Sequence, residues 1–369
     1  GGCRLMELRD VTLREAPQRP GRSYTADQRI AAGHALDRLG VSYVQAGFPV
    51  TGETDAAVTS SLAGELDATV TALARPVEGD VTAALDTGAG VVDLFAPFST
   101  LQLRHSLQKP RDAVIEQLTE ARDRVEAAGA TVHLSVVDAF RTETDHLLSV
   151  CEAFPDVQNL TLADTVGRRT PTEVRERLTA LADAGVDLGR IGVHFHDDLG
   201  VATANVLAAH DCGVGYADVS VASLGERAGN PALEEVVATG VLSRETAFGT
   251  DRSALVPACR SVLDALDEQV DDRKAILGSS VTTHESGIHT AAMLAEPATF
   301  EPFDPSLFGG ERTLLFGAET GRSGAATLLE RAGVDGDPQR LAALLAEAGP
   351  VEYEAAVDLA REMGTEEDT

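Results

Sequence analysis

The chain has 369 residues, 43% hydrophobic and 4% aromatic, enough for one large barrel domain and a smaller appendage. Lysine and arginine total 30 against 59 aspartates and glutamates, and the formal net charge of −29 argues against nucleic acid or an anionic membrane as partner. No apolar run approaches the roughly 18–20 residues of a membrane helix, and no basic-then-apolar leader is visible, so no signal peptide is expected. The basic residues are nearly all arginine, with lysine only at Lys109 and Lys274. Strong acidity, scarce lysine and few aromatics suggest adaptation to high salt. Cys3, Cys151, Cys212 and Cys259 are scattered without a CxxC pair, so reduced thiols and a cytoplasmic setting are expected.

In chain order, apolar β-branched runs predict strands at Leu5–Leu13, Val41–Ala46, Ala68–Ala74, Val91–Phe95, Thr131–Val137, Val157–Ala163, Ile191–His196 and Ala217–Ala222. Amphipathic segments between them predict helices, among them Thr25–Leu39, Arg111–Ala128, Thr172–Ala184 and Ala202–Cys212. Thr25 and Thr170-Pro171 are helix-start signals, and Gly40, Gly88, Gly129, Gly185 and Gly213 mark helix ends. Eight strand-then-helix units over roughly 240 residues point to an α/β fold of (β/α)8 TIM-barrel type. An open doubly wound sheet is the alternative, but no GxGxxG follows the first strand to support a dinucleotide site. The barrel is expected to span residues 1–265. Beyond it the rhythm changes: Gly278–Thr290 is polar and His-rich, Pro297–Phe316 is turn-rich, and Asp337–Ala348 and Val351–Met363 read as helices. Residues 266–369 are therefore expected to form a small, mainly helical C-terminal subdomain.

Chemistry in a parallel barrel collects at the C-terminal strand ends. The seventh strand ends in His194-Phe195-His196-Asp197-Asp198, and side chains two apart on a strand share a face. Two imidazoles on one face suit a divalent metal. The first strand ends in Arg14-Glu15, an anion-stabilising group beside an acidic ligand, although a surface ion pair is the ordinary reading of such neighbours. A Gly-rich loop, Gly225-Glu226-Arg227-Ala228-Gly229-Asn230, follows the eighth strand.

Together Asp10–Gln18 (DVTLREAPQ), His194–Gly200 (HFHDDLG), Gly225–Asn230 (GERAGN) and His284–His289 (HESGIH) resemble the metal-dependent Claisen-condensing enzymes: the 2-isopropylmalate, homocitrate and citramalate synthases. The resemblance covers roughly residues 5–325. It implies a divalent metal (Mg²⁺, Mn²⁺ or Zn²⁺) held by Glu15, His194, His196 and Asn230. It implies acetyl-CoA as co-substrate, a small 2-oxo acid as acceptor, and a homodimer in which His289 acts in cis or in trans. Arg14 matches the arginine facing the 2-oxo acid, Gln18 a nearby polar contact, and Thr165 a threonine that holds the substrate carboxylate. His289 matches an acid–base histidine from beyond the barrel, and Glu285 stands beside it as a further candidate. Glu226 and Arg227 resemble supporting residues.

The chain departs from the family pattern in places. At Ser135-Val136-Val137-Asp138-Ala139-Phe140-Arg141, Val137 stands where relatives carry an active-site glutamate. Ala16-Pro17 replaces Gly-Glu, Phe300 replaces a tyrosine, and Gly317-Ala318-Glu319-Thr320-Gly321-Arg322 replaces G-K-H-S-G-R. Glu15 and HESGIH lean toward homocitrate synthases and 2-oxoglutarate. Its second carboxylate needs cationic or polar partners, for which His133, Ser135 and Arg75 are candidates, although His133 reads equally as a core histidine. An isopropylmalate or citramalate synthase would want an apolar pocket instead, which Val137 suits. A lyase of the same superfamily and a catalytically impaired paralogue are the other readings. The GERAGN loop favours a synthase over a lyase, and Val137 is the support for impairment.

Overall fold

The computed structural model describes residues 6–285 and 287–367. Cys3 and the predicted strand start at Leu5 lie outside the described residues. Eight parallel strands close into a barrel: β1 (Glu7–Asp10), β2 (Tyr43–Gly47), β3 (Thr69–Ala74), β4 (Val91–Pro97), β5 (Thr131–Val137), β6 (Leu160–Asp164), β7 (Ile191–Phe195) and β8 (Tyr216–Val219). The seam runs between β1 and β8 in continuous register, from Glu7 against Tyr216 to Asp10 against Val219. Leu8, Val44, Val92, Leu134, Leu162, Val193 and Ala217 are fully or nearly fully buried, as expected for strands covered by helices.

The helices start and stop where local chemistry dictates. Thr25 caps Ala26–Leu39 in a reciprocal box with Gln28, and Gly40 ends that helix with φ 86°. Thr170 and Glu173 form the same box before Pro171–Asp183. Two predicted strands end early. β1 stops at Asp10, whose carboxylate accepts from Thr12 N at 2.9 Å and turns Thr12–Glu15 into a helical turn. β8 stops at Val219, because Val221–Ser223 coils with Ala222 at φ 51°.

The chain divides into two compact units, residues 1–269 and 270–369. The segment just past residue 265 stays with the barrel because Glu268 takes hydrogen bonds from Arg19 and Tyr24. The second unit has a three-stranded sheet of β9 (Thr283–His284), β10 (Thr313–Phe316) and β11 (Val351–Glu352). Its own core gathers Phe316, Leu328, Leu341, Leu345, Ala360 and Met363. Helices Pro338–Ala348 and Tyr353–Glu367 match the two expected, except that Val351–Glu352 pairs as strand instead of opening the second. Among the described residues no helix is long and apolar enough to cross a membrane.

Candidate active site

At the C-terminal mouth of the barrel a cavity of about 330 Å³ is lined by Arg14, Glu15, Gln18, Ser135, Val137, Thr165, His194, His196, Asp218 and Glu226, with Phe48, Leu73, Phe95 and Ala163 as its apolar wall. The early end of β1 places Arg14 and Glu15 here, on the helical turn that Asp10 caps. His194 sits in β7 and His196 one residue past its end, with ring centroids 5.0 Å apart. Ligand atoms of Glu15, His194 and His196 lie within 4.8 Å of one another, and all three residues are buried.

The donor atoms fit a cation. Glu15 Oε2, His196 Nε2 and Asn230 Oδ1 are buried without a hydrogen-bond partner. Orphaned buried polar atoms are costly, and an ion shared by Glu15, His194 and His196 would satisfy the first two of these. Both imidazoles are oriented from behind. His194 Nδ1 lies 2.8 Å from Asp218 Oδ2, and His196 Nδ1 lies 3.4 Å from the Asp164 carbonyl. Each ring thus donates from Nδ1 and leaves Nε2 as a lone pair for the ion. His194 Nε2 stands 3.6 Å from Glu15 Oε1 and 3.4 Å from the Asn230 amide. Burial alone would raise the Glu15 carboxyl, but Arg14 and the two imidazoles outweigh it and hold it below its ordinary range. Burial drives His196 down to about 4, so its imidazole is neutral at physiological pH.

Asn230 is delivered by a wound loop. Asp197 N donates to the Gly229 carbonyl at 2.8 Å, and Ser220 N to the Pro231 carbonyl at 2.9 Å. Gly229 has φ 88°, and a Cβ there would fall 1.6 Å from the Ser223 carbonyl oxygen, so only glycine fits. Ala222, Ser223 and Arg227 also hold positive φ in this stretch. Arg227 lies outside the lining residues: it pairs with Asp198 at 2.9 Å and donates to the Thr165 carbonyl, so its role is to tie loops together.

The remaining candidates separate. Thr165 Oγ1 accepts from Asp138 N at 2.8 Å, which keeps its own proton available toward the cavity. Ser135 Oγ donates to Asp93 at 2.9 Å, so its proton is already used. His133 lies below the cavity rather than on its lining, against Tyr43 and Tyr216, and burial lowers it to about 3. It is a neutral core histidine there, not a cation for a second carboxylate. Arg75 is also off the lining, because Asp80 holds it through Nε at 2.6 Å and Nη2 at 3.0 Å. In the second unit, Glu285 is exposed, and His289 stacks on Phe300 with centroids 4.0 Å apart.

Four polar residues inside the barrel were not anticipated: Arg9, Gln45, Asp93 and Asp218. Each is at most 2% exposed, and Gln45, Asp93 and Asp218 stand among apolar strand residues, while Arg9 shares its short strand with Glu7 and Asp10. A charge interrupting a buried strand was the signal that could have found them.

The HMGL-like family model matches residues 6–262, and the one described as homocitrate synthase post-HMGL domain-like matches residues 276–349. The chain belongs to the HMGL-like family, in the group that holds the homocitrate, 2-isopropylmalate and citramalate synthases. It is 38% identical to the homocitrate synthase AksA of Methanopyrus kandleri, over 88% of this chain and 82% of that protein. A probable 2-isopropylmalate synthase of the same organism is 36% identical over 90% of this chain and 67% of its own length. Among solved structures, the Bacillus subtilis HMG-CoA lyase superposes with TM-score 0.65 at 22% identity, over 73% of this chain and 96% of that one, a likeness of fold.

Proposed function

We propose that this protein condenses acetyl-CoA with a 2-oxo acid by a metal-assisted Claisen reaction followed by thioester hydrolysis. The observation that carries this is the set of orphaned donors on Glu15, His196 and Asn230, beside His194 and next to Arg14. A bound Mg²⁺, Mn²⁺ or Zn²⁺ would supply the positive charge that polarises the acceptor's keto group. Thr165 is placed to donate to the acceptor carboxylate. The acetyl methyl loses a proton, its carbon bonds to the keto carbon, and the keto oxygen gathers negative charge. Arg14, steadied by Gln45 at 2.6 Å, stands at the cavity to stabilise that oxygen. Val137 cannot carry a proton, so we assign the proton transfer to His289, as the resemblance implies, with Glu285 as the alternative candidate. The same resemblance supports a homodimer, and the composition supports a cytoplasmic, high-salt setting.

Two acceptors compete. The homocitrate synthases among the relatives favour 2-oxoglutarate. The pocket favours an acceptor with a small apolar side chain, because Phe48, Leu73, Phe95 and Val137 form its wall while His133 and Arg75 are committed elsewhere. Thiol release from acetyl-CoA, measured with 2-oxoglutarate, 2-oxoisovalerate, pyruvate and oxaloacetate under Mg²⁺ or Mn²⁺ in high salt, tests the reading. Release with one acceptor identifies the substrate; silence with all four overturns the synthase reading.

A further inference from the structure

The barrel interior holds a closed ring of polar contacts. Arg14 Nε donates to Gln45 Oε1 at 2.6 Å, and Gln45 Nε2 donates to Asp93 Oδ2 at 3.0 Å. Arg9 Nη1 donates to the same Asp93 oxygen at 2.6 Å. From its other edge Arg9 forks onto Asp218, Nε to Oδ1 at 2.8 Å and Nη2 to Oδ2 at 2.9 Å. Asp218 Oδ2 then meets His194 Nδ1 at 2.8 Å. His194 faces Glu15, which pairs with Arg14 and closes the ring. Arg9 is 1% exposed and absent from the cavity lining, so it touches neither substrate nor ion.

We infer that Arg9 is a positioning residue that sets two arms of the site with one guanidinium: the metal-ligand arm through Asp218 and His194, and the anion-stabilising arm through Asp93, Gln45 and Arg14. The inference rests on the proposed condensation for the role of Arg14, while the metal arm stands apart from it. Charge and shape both require an arginine here. A planar fork can hold one carboxylate on two of its donors and a second carboxylate on a third. A lysine offers a single head and can serve only one of them. Among the described residues both carboxylates form salt bridges to Arg9, and Asp218 has His194 as its second partner. Asp218 Oδ2, 2.8 Å from His194 Nδ1, is what fixes the His194 tautomer.

The test uses the full chain and four variants: Arg9→Met, Arg9→Lys, Asp218→Asn and Gln45→Met. One readout is Mn²⁺ affinity without substrates, by competition with a fluorescent chelator. The other is affinity for the 2-oxo acid at saturating Mn²⁺, by calorimetry, so that neither depends on turnover. Asp218→Asn should weaken Mn²⁺ by about 10–100-fold with little change in acid affinity. Gln45→Met should do the reverse. Arg9→Met should shift both, and Arg9→Lys should restore one arm at most. If Arg9→Met does not fold, Arg9→Lys decides: a shift in at least one arm supports the coupling, and wild-type values in both overturn it. Wild-type values in a folded Arg9→Met overturn it as well. Should no acceptor be bound or turned over, the functional reading fails while the Mn²⁺ titration still judges Arg9.

Discussion

Gly225→Ala should remove a metal donor without unfolding the protein. A Cβ on Gly225 would lie 2.1 Å from Asn230 Oδ1 and 3.3 Å from Gly229 Cα. Ordinary contact begins near 3.4 Å, so the amide oxygen must retreat by about 1.3 Å. Metal–ligand distances tolerate only about ±0.2 Å. Gly225 is not among the positive-φ glycines, so alanine fits its backbone, and the group that must move is the end of a side chain. Overpacking of this kind costs about 1–3 kcal/mol, a drop of a few degrees in Tm. Metal affinity should fall by at least the roughly 10–100-fold seen when a group supporting a ligand is lost. Gly64→Ala is the control, since a Cβ there meets nothing within 4 Å. Mn²⁺ titration against a fluorescent chelator, with circular dichroism to confirm folding, is the assay. A folded Gly225→Ala that binds Mn²⁺ as tightly as the Gly64→Ala control would show that Asn230 is not a ligand.

Arg75→Met should change the KM for any acceptor by less than about twofold, since losing a charged hydrogen bond to substrate would cost about 1.5–3 kcal/mol, or more than tenfold. A tenfold rise confined to 2-oxoglutarate would bring Arg75 into the pocket. Val137→Glu should raise turnover if the reaction lacks only that carboxylate; unchanged turnover would mean the proton is handled by a different arrangement. His133, held at about 3 against an ordinary 6.5 chiefly by burial, binds fewer protons folded than unfolded. It therefore contributes stability above about pH 6.5 that is lost as pH falls toward 3, and His133→Leu should flatten that decline in urea unfolding between pH 7 and pH 4. An identical slope in both proteins would contradict a neutral buried imidazole. Finally, with a net charge of −29, the protein should gain Tm steeply with KCl, and full activity in very dilute buffer would defeat the high-salt reading.

The strand count was legible in the sequence, and so was the side-by-side placing of His194 and His196, because each rests on a local pattern. Apolar runs at regular spacing give parallel strands, and His194 and His196 share a face by period two. What was not legible depends on which strands meet across the barrel. Ser135 faces Asp93 on the neighbouring strand, so its proton is spent on a residue 42 positions away. Arg9 finds Asp218 only because β1 pairs with β8. His133 and Ser135 share a face, yet one sits below the cavity and the other on its wall, since Ser135 lies two residues nearer the C-terminal mouth on the same strand. Arg75 was read from its place at a strand end, and the nearby Asp80 claims it first.

The β1–β8 seam has a further consequence for how the chain is made. Glu15 is made well before the other three, since His194 and His196 lie at the end of the seventh strand and Asn230 in the loop after the eighth. No metal centre can exist until the barrel has closed, so the nascent chain waits with its first ligand unpaired through most of translation. Pairing of this sequence separation is slow to form, and the open edge of β1 is exposed meanwhile. An ion that binds only the closed barrel acts as a latch on that seam, adding about 2.7 kcal/mol at a hundredfold excess over Kd. Divalent metal in the growth medium would then govern the yield of folded protein as well as its chemistry.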